Sequence, residues 1–375
     1  MARKIAYIKV GRNSGTNISI QKMLELIYHD YIVDTIDLLD LLKQNKNIIL
    51  LNSLYILKEY RKDILLRKRC FKKSFGVTSY MSRKASELMN MALLRGKYKF
   101  AFQSMANFAL NIKDFPNFVY VDATNLSNLI NPDFDKELLS SRLFRLRIES
   151  EKATYQGAEL VFTMSSFTRK SVIEHYGCDP EKVYCVYAGS NVGMNTEIRE
   201  KDYKNKHILF VGIDWERKGG PELLQAFKKV LKVHPEAKLT IVGCKPKINL
   251  QNIEAVGRVT LDIVKNYYEK ASIFCLPSRW EPFGIVFVEA LTNKLPVIGT
   301  NICAIPDMIK HGENGYLVEL GNIDQLTNAL LNLLGDRGKC RTFGEKGYQI
   351  AMERYNWDKV AEKIRYHIDK VIGSI

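Results

Sequence analysis

Ala271-Ser-Ile-Phe-Cys-Leu-Pro-Ser-Arg-Trp-Glu-Pro-Phe-Gly-Ile-Val-Phe-Val-Glu-Ala290, followed directly by Leu295-Pro-Val-Ile-Gly299, decides how this chain is read. The apolar run 272–276 has the length of a buried strand, Pro277 and Ser278 break it, and from Gly284 the apolar residues Val286, Phe287, Ala290 and Leu291 return at helical spacing. Strand, loop, helix and strand predict a unit of parallel sheet, with its loop at the carboxyl end of a strand, where open α/β sheets bind ligands. Glu281 lies in that loop and Glu289 in the second turn of the helix. Two carboxylates over one crevice suit a ligand rich in hydroxyls, because each accepts two hydrogen bonds. The amides of Phe283, Gly284 and Ile285 at the helix start offer an anion site beside them, and Gly284 permits close backbone approach. An ordinary helix entry with acidic residues near its positive end fits the same residues.

Outward from this stretch, residues 208–211, 239–242 and 253–256 read as strands, and 221–231 and 261–268 as helices. Such alternation with short loops predicts a parallel sheet covered on both faces. Between the first of these strands and its helix stands Gly212-Ile-Asp-Trp-Glu-Arg-Lys-Gly-Gly220. Arg217 and Lys218 there can grip a diphosphate with a guanidinium, a point charge and amide donors, or can be surface charges. Towards the end, 326–334, 341–352 and 357–372 read as helices.

The first half opens with a strand at 4–10, a glycine-bearing loop Gly11-Arg-Asn-Ser-Gly15, a helix at about 18–26 and a strand at 32–36. Gly-x-x-x-Gly is not the dinucleotide fingerprint. A strand at 118–121 ends at Asp122, which suits either an acceptor-orienting carboxylate or a turn cap. Asp133-Phe-Asp135 has a metal-binding spacing but reads as a helix start after Pro132. A helix at 142–153 and a strand at 158–164 lead to Ser165-Ser166, a helix N-cap or a cleft residue, and 183–187 reads as the last strand of this half. Residues 191–207 turn polar and charged, as a linker does.

Glu281-Pro-Phe-Gly, with Glu289 eight positions after Glu281, resembles the Glu-x7-Glu motif of retaining glycosyltransferases of the GT-B fold, specifically glycosyltransferase family 4. Phe210-Val-Gly212, Arg217-Lys-Gly219, Leu239-Thr-Ile-Val-Gly243 and His311-Gly-Glu-Asn-Gly-Tyr-Leu-Val318 resemble the same family, so the likeness covers most of residues 207–335. It implies an α/β protein of two facing Rossmann-like domains with parallel sheets and an interdomain cleft. Residues 1–195 would form the acceptor domain and 196–356 the nucleotide-sugar donor domain, with the last helix, 357–375, returning to the first. It further implies transfer of a hexose from a nucleoside-diphosphate sugar to a hydroxyl of a glycan or lipid-linked acceptor with retention, without metal or cofactor, in cell-surface polysaccharide or glycolipid synthesis. In this likeness Lys218, with Arg217, stabilises the departing diphosphate, Glu281 holds sugar hydroxyls and Glu289 the ribose. Gly212, Phe283, Gly284, Ile285, Arg258 and Val259 line the donor, Gly11 and Gly15 face it across the cleft, and Asp122 stands near the family's usual histidine. Ile213 takes the place of a common arginine, and Cys303 and Ala304 that of paired glycines.

The 375 residues suffice for two domains with cores of their own. Seven scattered cysteines without a Cys-x-x-Cys pair fit reduced thiols in a cytoplasmic protein, and the longest apolar window, 48–57, is too short to span a bilayer. The net charge is +15, and residues 58–99 hold thirteen Lys or Arg against three acidic residues. That stripe, with Ile64, Leu65, Phe71 and Phe75 among its charges, suits an amphipathic helix on the anionic inner face of a membrane, or a solvated helix face. Three rivals remain: a glycoside hydrolase using Glu281 and Glu289 as its carboxylate pair, a non-catalytic basic protein bound to nucleic acid or membrane, and a member of the resembled family that has lost activity, given Ile213 and Asp122. Irregular aromatic spacing weighs against nucleic acid as a partner.

Overall fold

The structure, a computed structural model, describes residues 3–11, 15–66, 71, 74–75, 78–106, 108–131, 134, 142–192 and 201–373. The first half runs β1 (Lys4–Lys9), α1 (Thr16–Ile27), β2 (Ile32–Asp37), α2 (Leu38–Gln44), α3 (Lys46–Leu65), α4 (Ser79–Gly96), β3 (Ala101–Gln103), β4 (Asn117–Val121), α5 (Arg142–Gln156), β5 (Leu160–Thr163), α6 (Ser166–Glu174) and β6 (Val183–Cys185). The second half runs β7 (His207–Val211), α7 (Gly220–Val230), β8 (Lys238–Val242), β9 (Ile253–Gly257), α8 (Leu261–Lys270), β10 (Ile273–Leu276), α9 (Ile285–Thr292), β11 (Val297–Thr300), α10 (Ile305–Met308) and β12 (Gly315–Val318), and ends in α11 (Ile323–Leu334), α12 (Arg337–Arg354) and α13 (Trp357–Ile372).

All sheet pairings are parallel, in two six-stranded sheets ordered β2-β1-β3-β4-β5-β6 and β12-β11-β10-β7-β8-β9. Strands covered on both faces must be apolar throughout, and β4, β5, β10 and β11 are buried at every residue. The second sheet has the doubly wound order 3-2-1-4-5-6 when its strands are counted along the chain, which puts its switch point between β7 and β10. The first has its switch point between β1 and β3. This is the GT-B arrangement of two facing Rossmann-like units.

The last helix crosses back to the first half. Tyr28 of α1 donates to Asp369 of α13 at 3.2 Å, His367 stacks on Tyr184 of β6, and the Trp357 indole donates to the Ser190 carbonyl at 3.0 Å. Gly189 makes that crossing possible, since a Cβ there would lie 2.4 Å from the Trp357 ring.

Four local expectations change. The amphipathic helix expected in the basic stripe, around Ile64 and Leu65, begins at Lys46, takes in the whole apolar window 48–57 and ends at Leu65, and its Asn52, Ile56 and Tyr60 form a buried face against α4 and Phe75. β3 was not anticipated: three residues are too few to show a period. Gly315–Val318, for which no element was expected, is edge strand β12. The strand at 183–187 stops at Cys185, where Tyr187 turns to a positive φ of 64°. Residues 12–14 of the first loop, Asp133 and Asp135, part of the basic segment and 193–200 of the linker lie outside the described residues. Among the described residues no helix is long and apolar enough to cross a membrane.

Candidate active site

The second sheet's switch point brings together the loops after β7 and β10, and three glycines set how closely they meet. Gly212 donates to the Val242 carbonyl at 2.8 Å, and a Cβ on it would sit 3.0 Å from Lys218 Cγ, so the missing side chain leaves room for Lys218. Gly219 has φ 74°, and a Cβ there would come 1.9 Å from the Pro277 carbonyl oxygen, so only glycine lets the loops touch backbone to backbone. The Arg279 amide donates to the Arg217 carbonyl at 2.9 Å, which stitches the loops together. Gly284, φ 87°, turns the chain into α9, and a Cβ there would lie 2.9 Å from Glu281 Cγ.

Within this frame Lys218 and Glu281 form an ion pair, 9% and 5% exposed. Ser278 adds a hydrogen bond to the same carboxylate oxygen at 3.1 Å. In a buried pair of this kind each partner offsets the desolvation of the other, and removing one partner costs about 3–5 kcal/mol. Arg217 lies on the outer side of the loop. Its guanidinium donates to the Trp280 carbonyl at 2.9 Å, stands 3.5 Å from Asp214 and lies 5.8 Å from the Trp280 ring centre. Ile213 is exposed and lines a surface cavity of about 750 Å3 with Trp215 and Lys245.

Glu289, on the buried face of α9, is 3% exposed and accepts a hydrogen bond from the Tyr268 hydroxyl at 2.8 Å. Burial pushes its pKa up to about 7, opposed by the Tyr268 bond. A carboxyl so placed gains from any further hydroxyl that donates to its ionised form. The start of α9 has no side-chain cap, so the amide end that includes Ile285 faces the loop of Phe283 and Gly284. Arg258 and Val259 follow Gly257 at the end of β9, two strands from the switch point, with Arg258 exposed.

The first half supplies the opposite wall. Asp122 follows β4, and its carbonyl accepts from Thr168 Oγ1 at 2.6 Å. Water reaches its carboxyl, but the surrounding protein desolvates it and raises its pKa; the Asp122 and Ala123 amides lower it, and the charge of Glu281 across the cleft raises it further. Asp122 and Glu281 therefore share one electrostatic field. Gly11, φ 69°, donates to Asp37 at 2.9 Å, and Gly15 approaches α8 so closely that a Cβ would lie 3.0 Å from Leu261.

Sequence reasoning missed a bridge between the halves. Ser165 caps α6 by accepting from the Thr168 amide at 3.1 Å, while the Ser166 amide and hydroxyl donate to the two carboxylate oxygens of Asp307 at 2.7 and 2.5 Å. Ser278 and Tyr268 were missed too. Ser278 stands three residues before Glu281 in the quoted loop, whereas Tyr268 gives no signal beyond its place on the buried face of α8.

Residues 195–350 match the family described as Glycosyl transferases group 1. An uncharacterized glycosyltransferase of Methanocaldococcus jannaschii is 28% identical over 232 residues, 56% of this chain and 66% of that protein. A capsular polysaccharide biosynthesis glycosyltransferase of Staphylococcus aureus is 24% identical over 247 residues, 60% of this chain and 64% of that protein. The alignments thus span a little under two thirds of these curated relatives. Among solved structures, sucrose-phosphate synthase from Thermosynechococcus elongatus superposes with a TM-score of 0.72 at 17% identity, over 100% of both chains.

Proposed function

From the match of residues 195–350 to the glycosyl transferases group 1, we propose that the protein transfers a hexose from a nucleoside-diphosphate sugar to a hydroxyl, with retention at the anomeric carbon. The observation that carries the reading is the Lys218–Glu281 ion pair at the switch-point crevice. A diphosphate entering over the uncapped start of α9 draws the Lys218 ammonium to itself, which frees Glu281 to accept hydrogen bonds from sugar hydroxyls. Arg217 swings from Asp214 to add a second positive charge. Glu289 takes the ribose hydroxyls, and the backbone at Gly212, Arg258 and Val259 lies along the nucleotide.

The bond from the anomeric carbon to the diphosphate oxygen breaks with its electron pair going to the diphosphate. The acceptor oxygen bonds on the same face, and its proton passes to the departing phosphate oxygen. Lys218 stabilises charge where it develops, which is where electrostatic catalysis contributes most. Asp122 orients the acceptor hydroxyl from the opposite wall, and this charge complement serves without a divalent cation. A hydrolase would need Glu281 and Glu289 to flank one bond, whereas Glu281 is neutralised by Lys218 and Glu289 is turned to Tyr268.

The acceptor domain is assigned to residues 1–195 with 357–375, and the donor domain to 196–356. The first includes a surface suited to an anionic membrane: Leu50, Leu51, Leu54, Leu57 and Leu65 of α3 are exposed beside Lys58, Arg61 and Lys62. A cytoplasmic enzyme held at the inner membrane face, building polysaccharide or glycolipid, fits that surface. Release of nucleoside diphosphate from a panel of nucleotide sugars, with EDTA present, tests the reading. Glu281→Ala is expected to lower turnover at least about a hundred-fold; turnover at the wild-type rate would remove Glu281 from the site.

A further inference from the structure

The first half holds a cavity of about 360 Å3 that the proposed transfer does not use. It opens at the carboxyl ends of the strands: Val10 follows β1, Phe108 follows β3 and Asn125 follows β4, with Leu39 and Leu42 of α2, Ala85 of α4 and Leu146 of α5 closing it. It adjoins both loops that face the donor. Asn125 lies three residues beyond Asp122, and Leu39 Cδ1 is the atom a Cβ on Gly11 would meet at 2.9 Å.

The wall offers an occupant mostly hydrocarbon. Among the described residues that line it none is acidic. Asn125 is held by Glu151, donating to it from its side-chain amide at 3.1 Å and its backbone amide at 2.9 Å. The Thr78 hydroxyl is bonded to Asn52 and accepts from the Met81 amide at 3.0 Å, and Arg147 and Ser150 have partners of their own. A sugar ring placed here would leave its hydroxyls short of partners, at a cost of about 1–3 kcal/mol for each one unsatisfied. At the rim Leu39 remains 43% exposed. An apolar side chain left in water inside a concavity gains only when something apolar covers it.

Resting on the transferase reading, we infer that the acceptor is an amphiphile whose hydroxyl lies at Asp122 while its alkyl portion fills this cavity. At about 30 Å3 for each methylene-sized unit, the space holds roughly a dozen carbons. The acceptor class is thus a hydroxylated head on an aliphatic chain, and Leu39, Ala85 and Leu146 set its length.

The probe is a series of n-alkane-1,2-diols from four to fourteen carbons, titrated calorimetrically into the full chain below their aggregation limits. Affinity is expected to rise about four-fold per methylene and to level off near ten to twelve carbons. Ala85→Met should bring the plateau two or three carbons earlier. Leu39→Gln, at a position 43% exposed, should weaken the longer diols about ten-fold while leaving the melting temperature within about 2 °C of the native chain. Affinity independent of chain length, or a rise without plateau that neither variant alters, overturns the inference. Nucleotide binding measured on the same samples separates the two readings. Nucleotide binding without a length-dependent diol response removes the alkyl acceptor and leaves the transferase, whereas saturable diol binding without any nucleotide response keeps the cavity's ligand class and removes the donor site.

Discussion

Replacing Glu289 by glutamine should make the ligand-free protein more stable at pH 8 and leave it nearly unchanged at pH 4. Glu289 is 3% exposed, and burial raises its pKa from 4.5 to about 7. The folded state therefore holds a proton that the unfolded state has released between those values, so stability falls as pH rises from about 4.5 to 7 and the deficit is complete above 7. The displacement corresponds to about 3 kcal/mol at pH 8. Glu289→Gln keeps an acceptor for the Tyr268 hydroxyl and removes the ionisation, so most of that deficit should disappear. The assay is thermal unfolding of both proteins from pH 4 to 8, with a difference in Tm of order 5 °C at pH 8 that shrinks towards nothing at pH 4. Lys201, whose ammonium donates to the Tyr268 and Glu269 carbonyls and whose pKa burial lowers from 10.5 to about 7, adds a pH dependence of its own above about pH 7. It is present in both proteins and cancels in the difference. With saturating nucleotide the variant's advantage should shrink by about half, because ribose hydroxyls bind a carboxylate more strongly than an amide, by about ten-fold in affinity or about 1.4 kcal/mol. A pH-independent difference, or a variant less stable at pH 8, would refute the argument that Glu289 is a strained carboxyl awaiting a hydroxyl ligand.

Lys218→Met leaves Glu281 buried without its partner and should lower unfolding stability by about 3–5 kcal/mol at pH 7 in urea titrations, while a double Lys218→Met, Glu281→Leu variant should recover most of that and still not turn over donor. Gly219→Ala should lower both stability and turnover, since its Cβ would stand 1.9 Å from the Pro277 carbonyl oxygen at φ 74°, and circular dichroism melting together with donor turnover checks this. Asp307→Ala frees the start of α6 from the second half, with an expected loss of about 1 kcal/mol and a larger radius of gyration by solution X-ray scattering; an unchanged radius would show that the bridge does not hold the halves together.

The second half was legible because most of its strands are short, mainly apolar and followed by loops rich in turn residues. The runs 208–211, 239–242 and 272–276 could be nothing but buried strands, and β7, β8 and β10 lie within a residue of them. Glu281, Glu289 and Lys218 could be singled out because chemistry-bearing residues interrupt that pattern at strand ends. Their partnerships could not be read, since Lys218 meets Glu281 across 63 positions and Tyr268 meets Glu289 across 21. In the first half period-2 and period-3.6 signals blur: β3 has three residues, and α3 shows a leucine-rich exposed face that in sequence looks like a core run. The polar composition of 191–207 hid two anchors, Lys201 on the end of α8 and Tyr203, buried and bonded to the Lys294 carbonyl at 2.7 Å.

The central claim is a nucleotide-sugar site at the β7–β10 switch point, built on Lys218 and Glu281. Thermal unfolding of the purified chain with UDP, GDP and ADP, each alone and as its hexose conjugate, in EDTA, tests it most directly. One nucleotide at about a hundred times its Kd should add about 2.7 kcal/mol, several degrees in Tm, to the native chain and almost nothing to Lys218→Met. No stabilisation by any of them, or equal stabilisation of both proteins, would contradict it.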